Sequence, residues 1–476
     1  MLQRAALGIG SVALMDILAR RTHGQESVGF DDATKAHPLP RVGAPHFKPR
    51  AKRIIYIFLD GGVSHLDSFD YKPLLKRDDG KPLPKSIHTP KFTFAPQGTI
   101  LRSPWQFRQY GQTGKWASNL FPHINEHIDD LCFVHSLHHE NNDHFTAKNM
   151  IHTGVGREVR PTLGSWLVYG LGSAKETLPG YIDILPDTPR SRPSAFLPAQ
   201  FAGTPVLRPD KTKPTLAWDN LTGSKAGSDA QRRELDLVQK MNRAHLAHRG
   251  QDAALEAEIA NLELAFRMQT EAPDILSLQG ESEATMKLYG IGEPNTTDFC
   301  RALLLARRFA EKGVRYITVT HSTTKYGNLW DQHGDLFNGH SGNARAVDRP
   351  IAGLLKDLES RGLLDDTLVM FGSEFGRTPS FEYMDGGSGR LRNGRDHNPY
   401  GFTMWFAGGG TKAGYSHGAT DDYGYHAVSD KVSIHDLHAT LLHIMGLDHE
   451  KLTYAYAGRH FRLTDVFGHA VRALLA

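Results

Sequence analysis

Two apolar runs with the same ending set the tightest limit on what this chain can fold into. RIIYIFLD ends in Asp60 and is followed at once by Gly61 and Gly62. DDTLVMFGSEFG repeats the grammar: an apolar, β-branched run from about Thr367 to Phe371, then small residues, then Glu374 and a glycine. Both runs read as strands, and the glycines let the chain turn sharply enough to leave a carboxylate at the sheet rim. Open α/β sheets bind ligands at the carboxyl ends of their strands, so the two strands deliver two acids to one edge. Taken singly, Asp60 and Glu374 are equally well explained as caps or turn formers. Taken with His397 they suit a divalent cation, because carboxylate and imidazole together are ligands for such ions. LDGGVSHLD at 59–67, GSEFGRTP at 372–379 and GRDHNPYG at 394–401 read as three strand-end motifs that gather at one place. A hydrolytic metal centre is the leading expectation.

The remaining chain supports an α/β alternation. FPHINEHIDDLCFVHSL at 121–137 reads as a helix feeding a strand from about Leu131 to Val134. A short helix follows, capped by Asp143 and ended by Gly154. LGSWLVYGLG at 163–172 reads as a helix and GYIDIL at 180–185 as a strand. Residues 227–290 interrupt the rhythm with densely charged helical spacing and no β signal, which predicts a helical insertion on the flank of the sheet. The alternation resumes with an amphipathic helix at 297–313, the strand VRYITVTHS, a helix at about 344–361, the strand GFTMWFAGG at 401–409 and a last helix, IHDLHATLLHIMG.

At 476 residues the chain could hold about three average domains, but α/β folds often run longer, and one large domain over 51–476 is expected. Residues 25–50, with four prolines, read as an extended lead-in. Residues 1–24 resemble the apolar part of an export signal, although only Arg4 precedes the run and Asp16 interrupts it. A truncated twin-arginine signal and a plain amphipathic helix both account for this. Export to the periplasm or cell surface is the expectation, and a cytoplasmic protein follows if the segment is no signal. No later stretch could span a bilayer. The net charge of +3 and the absence of a Lys/Arg block beyond ARR at 19–21 give no sign of nucleic-acid binding. Cys132 and Cys300, the two cysteines, cannot form a disulfide framework or a thiolate cluster. The compositional outlier is the 26 histidines, clustered at 123–152, 321–340 and 417–449.

LDGGVSHLDSFD, a helix ending in TG, WDQHGDLF, LDDTLVMFGSEFGRTP, GRDHNPYGFTMWFAGGG and DLHATLLHIMGLD, taken in order, resemble the domain of unknown function 1501 family of sulfatase-like, mostly exported bacterial proteins, over about residues 50 to 465. The resemblance implies an α/β fold like that of the alkaline phosphatase superfamily, a mostly parallel sheet flanked by helices with a metal site at the sheet's C-terminal edge. It implies Asp60 as a first-strand metal ligand and Glu374 as an oxygen ligand. Phe375 stands where the superfamily has a ligating histidine. His397, with Asp396 beside it, resembles the late histidine of the second metal position, and Asp331 and His333 match the superfamily's acid and histidine more loosely.

The nucleophile does not carry over. About ten positions before Gly154 stands His144, which could be a ligand or a general acid. Thr146 and Ser64 are the nearby alcohols, and each would need activation. Neither cysteine has the context of a formylglycine sulfatase. Arg377 and Arg395 could grip an anion bidentately, although an ordinary surface arginine is the default for each. His435, His438 and His443 fall at helical spacing, which favours a packed or solvated face.

The expected activity is metal-dependent hydrolysis of phosphate or sulfate esters, acting on a small anionic ester. Zinc or manganese suits the mixed ligand set, and calcium or magnesium suits it if histidine is peripheral. The alternative is a metal-binding but catalytically silent exported surface or assembly protein.

Overall fold

The computed structural model describes residues 43–89, 97–175, 177–185, 193–207, 216, 228–249, 253–293, 298–322, 330–382 and 393–476. The proposed signal remnant and most of the lead-in lie outside the described residues.

The first elements that bear on the site are strands β1 (Arg53–Leu59), β2 (Gln97–Ile100) and β3 (Leu131–His138), then helices α1 (His144–Thr153) and α2 (Leu163–Leu171). Strands β4 (Tyr181–Ile184) and β5 (Thr204–Val206) follow, then helices α3 (Ser228–Arg249), α4 (Ala253–Leu276) and α5 (Asp298–Glu311). Next come strand β6 (Tyr316–His321), helix α6 (Leu336–Ser360) and strands β7 (Thr367–Gly372), β8 (Gly376–Glu382), β9 (Arg395–Asn398) and β10 (Phe402–Ala407). The short strands β11 (Ser416–His417) and β12 (Val432–Ser433) lead into helix α7 (Ile434–Ile444).

The main sheet has the order β11-β3-β10-β7-β1-β6-β4-β5, with β12 also beside β3. Among the described strands of this sheet only β10 is antiparallel to its neighbours. This is the expected α/β architecture, a mostly parallel sheet flanked by helices.

Every residue of β1 is buried, as both faces of a parallel sheet must be when helices cover them. Its alternating side chains feed two cores. Ile55, Ile57 and Leu59 pack on one side with residues of α5 and α6, including Leu303 and Leu354. Ile54, Tyr56 and Phe58 pack on the other with Trp166 of α2 and Leu441 of α7. Because Leu59 pairs with His321 and Phe58 with Gly372, the three central strands end at one rim. Asp60 and Glu374 follow there.

Most expected elements are present, α3 and α4 within the charged stretch included. Three expectations need correction. Residues 124–130 form a 3-10 turn ahead of β3. Helix α6 begins at Leu336, eight residues before the expected start. Its first turns hold Gly339 and Gly342, poor helix formers that hid it in the sequence. Gly339 is needed because a Cβ there would lie 2.4 Å from Cγ of Gln332.

The third correction concerns GRDHNPYG, which among the described residues follows no strand of the main sheet. It supplies β9, part of a separate three-stranded antiparallel sheet with β8 and β2 in which Arg377 pairs with His397. Its four residues are all buried despite their polarity, so no hydrophobic alternation announces it. Among the described residues no helix is long and apolar enough to cross a membrane.

Candidate metal centre

Helix α1 begins beside the rim because Asp143 caps it, its Oδ1 accepting the Thr146 N–H at 2.9 Å. That places His144 in the first turn. The Nδ1–H of His144 donates to Glu374 Oε1 at 2.7 Å. Its other ring nitrogen, Nε2, is buried and pairs with Asp331 Oδ2 at 3.2 Å.

Asp331 and His333 come from the segment between β6 and α6. Two glycines admit this segment to the rim. A Cβ on Gly61, whose φ is +119°, would stand 2.8 Å from the backbone nitrogens of Trp330 and Asp331. A Cβ on Gly394 would lie 2.0 Å from the carbonyl carbon of His333. His397 enters from β9, and its Nδ1–H donates to the Asn142 carbonyl at 2.6 Å.

These three segments bring one ligand atom each of His144, Asp331, His333 and His397 within 4.8 Å of one another. Asp331 Oδ1 is 2.9 Å from His333 Nε2 and 3.1 Å from His397 Nε2, and the two imidazole nitrogens are 3.0 Å apart. Ligand bonds of about 2.1 Å in a tetrahedral site separate the donor atoms by roughly 3.4 Å, so the spacing fits one ion. The outer bonds of His144 and His397 fix the tautomer that turns Nε2 inward, the second-shell arrangement of metal-ligating histidines.

The acids in the cluster share their charge with the rings. Burial opposes protonation of His144, but the adjoining carboxylates of Asp331 and Glu374 outweigh it and raise the ring to about 9. Burial lowers His397 to about 4, against the pull of Asp331. Asp331 stays ionised well below the usual carboxylate range: burial, which opposes ionisation, is outweighed by the Arg377 charge and by the His144 and His333 rings beside it.

Of the other residues singled out in the sequence, Asp60 and Glu374 do reach the rim but stand outside the four-residue group. Glu374 is fully buried behind His144, with Oε1 and Oε2 accepting the Gly61 N–H at 3.0 and 3.2 Å and Oε2 also accepting from Ser373 Oγ at 2.8 Å. Asp60 pairs with Lys148 of α1 at 3.2 Å. Asp396 Oδ1 accepts the His397 backbone N–H at 2.7 Å and lies 3.9 Å from His333 Nδ1.

Neither arginine is a surface group. Arg377 is wholly buried and braces the site, donating to the carbonyls of Gly61, Gly62, Trp330 and Arg395 and to Asp331 Oδ1 at 2.7 Å. Arg395, also wholly buried, pairs with Asp67 at 2.8 Å and donates to the carbonyls of Thr378 and Leu101. Both alcohols are engaged: Thr146 Oγ1 donates to Asp143, and buried Ser64 donates to Asp67 at 2.5 Å.

Sequence reasoning left two neighbours of the cluster without a role. Phe375, noted only as a lost ligand, forms an apolar wall, its ring 4.4 Å from that of His397 and 5.0 Å from that of His144 between centroids. Lys148 has one signal in the sequence, its position four residues after His144 on a helix, which sets both on one face.

A family model described as "Protein of unknown function (DUF1501)" matches residues 51–475. The chain belongs to this family. No curated protein matches this DUF1501 chain in sequence. Among solved structures it is similar to a lipoteichoic acid synthase from Listeria monocytogenes, at 8% identity over 88% of this chain and 76% of that one, with a TM-score of 0.38. It is also similar to a sulfatase from Pseudoalteromonas sp., at 12% identity over 90% and 72% of the two chains with a TM-score of 0.36. An alkaline phosphatase from the Antarctic bacterium TAB5 resembles it at 8% identity over 84% of this chain and 99% of that one, with a TM-score of 0.34.

Proposed function

We propose that this DUF1501 protein is a metal-dependent hydrolase of phosphate or sulfate esters, with one divalent ion held by His144, Asp331, His333 and His397. The observation that carries the reading is the convergence of three inward-turned imidazoles on one carboxylate, with one ligand atom of each of the four residues within 4.8 Å of the others. Three nitrogens and one oxygen suit zinc or manganese better than calcium or magnesium, which favour all-oxygen shells.

When bound, such an ion supplies Lewis acidity for a phosphoryl or sulfuryl oxygen and lowers the pKa of water. The protein's own residues do the positioning. Glu374 orients His144, Arg377 holds Asp331, and Phe375 keeps water from one side of the rings. Because Thr146 and Ser64 are tied to carboxylates, attack by water fits this chain better than attack by a side-chain alcohol. The apolar run near the N-terminus supports an exported location for the activity, which cell fractionation would test.

The same tied alcohols support a second reading, a metal-binding protein without turnover. Metal analysis of the purified protein, followed by a panel of nitrophenyl phosphates, phosphodiesters and sulfates, separates the two. Bound metal with hydrolysis of one class supports the hydrolase, bound metal without turnover supports the silent protein, and no metal under any condition removes both.

A further inference from the structure

Asp331 and His333 can share an ion only because both side chains turn the same way, Asp331 Oδ1 standing 2.9 Å from His333 Nε2. The residue between them turns elsewhere. Gln332 is 5% exposed, and its side chain lies against the first turns of α6, where a Cβ on Gly339 would come within 2.4 Å of its Cγ. Its Oε1 is 2.5 Å from Nδ1 of His340, the next residue of that helix, and its backbone carbonyl accepts the Arg395 N–H at 3.0 Å. A side chain anchored in this way fixes the stretch of backbone from which both ligands spring, the support that a precise site needs behind its ligands.

His340 is in turn held on both sides. It is wholly buried, with its ring centroid 5.1 Å from that of Trp330 and 6.2 Å from that of Trp105. Its Nε2 accepts the backbone N–H of Ser64 at 3.1 Å. A ring nitrogen that accepts carries no proton, so the imidazole is neutral and its one proton sits on Nδ1, the donor to Gln332. Burial favours the same state, lowering the ring to about 3. One donor and one acceptor are thus both used, and the imidazole joins the segment that carries two ligands to the loop that follows β1.

We infer that His340 is a positioning residue of the metal centre, setting Asp331 and His333 through the side chain of Gln332. The inference rests on the metal reading above. His340 is not one of the four residues that meet at the cluster, so it acts on the ion only through the segment it holds. A ring that merely filled space beside Trp330 would matter by its volume. A ring that sets the two ligands matters by its Nδ1–H.

The test divides the two bonds of His340 between two replacements. His340→Asn keeps an amide nitrogen where Nδ1 stands and so keeps the donor to Gln332, whereas His340→Gln keeps an amide oxygen where Nε2 stands and so keeps only the acceptor for Ser64. Chelator-stripped protein is titrated with Co(II) and read as affinity, as the visible spectrum of the bound ion and as the melting temperature without it. Both variants should melt lower, because both lose the packed ring. His340→Asn should retain the wild-type spectrum and affinity, and His340→Gln should bind about tenfold more weakly, the usual cost of losing support behind a ligand, with an altered spectrum. Gln332→Met, which keeps the length and removes the amide, should match His340→Gln, and combining the two should weaken binding no further, because both cut the same tether. Gln332→Met alone decides if His340→Gln does not fold. Wild-type affinity and spectrum in Gln332→Met, equal losses in the two His340 variants, or additive losses in the double variant would each overturn the inference while leaving a metal centre in place. No uptake by the wild type would overturn this inference and the metal reading together.

Discussion

The Glu374 carboxylate accepts the Nδ1–H of His144 at 2.7 Å and so turns the opposite ring nitrogen toward Asp331. A strand-end acid that the sequence presents as a ligand thus stands one bond further back, fixing the direction of a histidine that a different helix supplies.

Glu374→Gln should weaken metal binding by about 10- to 100-fold, the usual cost of losing a partner behind a ligating histidine. Asp331→Asn, which removes a carboxylate at the centre of the cluster, should abolish stoichiometric binding. Competition against a chromophoric chelator measures both. Equal losses in the two variants would place Glu374 on the ion itself.

Metal affinity should rise with pH. The metal-free protein holds His144 raised to about 9, so near neutrality an ion must displace a proton from it, and displacing one proton gives about tenfold in affinity per pH unit. The dependence should flatten above about 9. In the metal-free protein the sign for stability is the reverse: a pKa raised in the folded state adds stability that is complete below the ordinary value of 6.5 and is lost as pH rises through about 9. Affinity that did not change between pH 6 and 9 would contradict the protonated state assigned to His144.

Thr146→Ala should leave any ester hydrolysis within about twofold, because its hydroxyl is bound to Asp143 within the helix cap. Ser64→Ala should likewise preserve turnover, at about 1 kcal/mol of stability for the lost bond to Asp67. Steady-state rates on the substrate found by the ester panel decide this. Loss of activity in either folded variant would identify the nucleophile.

Gly394→Ala should lower both stability and metal affinity, since the added Cβ meets the His333 backbone at 2.0 Å and such overpacking costs roughly 1–3 kcal/mol. A thermal melt and a metal titration on the same sample check it. Unchanged values would mean that the 330–335 segment moves freely, and with it the position of His333.

The sheet was legible because strand-forming residues signal locally. RIIYIFL and TLVMFG are apolar at every position after the first, and they are the two adjacent central strands, β1 and β7, of the folded protein. The cap at Asp143 and the stop at Gly154, which adopts a φ of 76°, were equally local and were found from sequence for the same reason. The polar strand β9 was not, because its burial comes from pairing with β8 and from partners far away in the chain.

What the sequence by itself determined is the α/β architecture, the rim where two acids emerge, and the pool of histidines and carboxylates available there. Only the tertiary structure decided that His144, Asp331, His333 and His397 converge, that Glu374 and Asp396 flank them, that Lys148 pairs with Asp60, and that both arginines turn inward. The physical reason is range. Periodicity and capping act within a few residues along the chain, whereas hydrogen-bond partners 230 positions apart, such as His144 and Glu374, are chosen by how strands, loops and helices pack together.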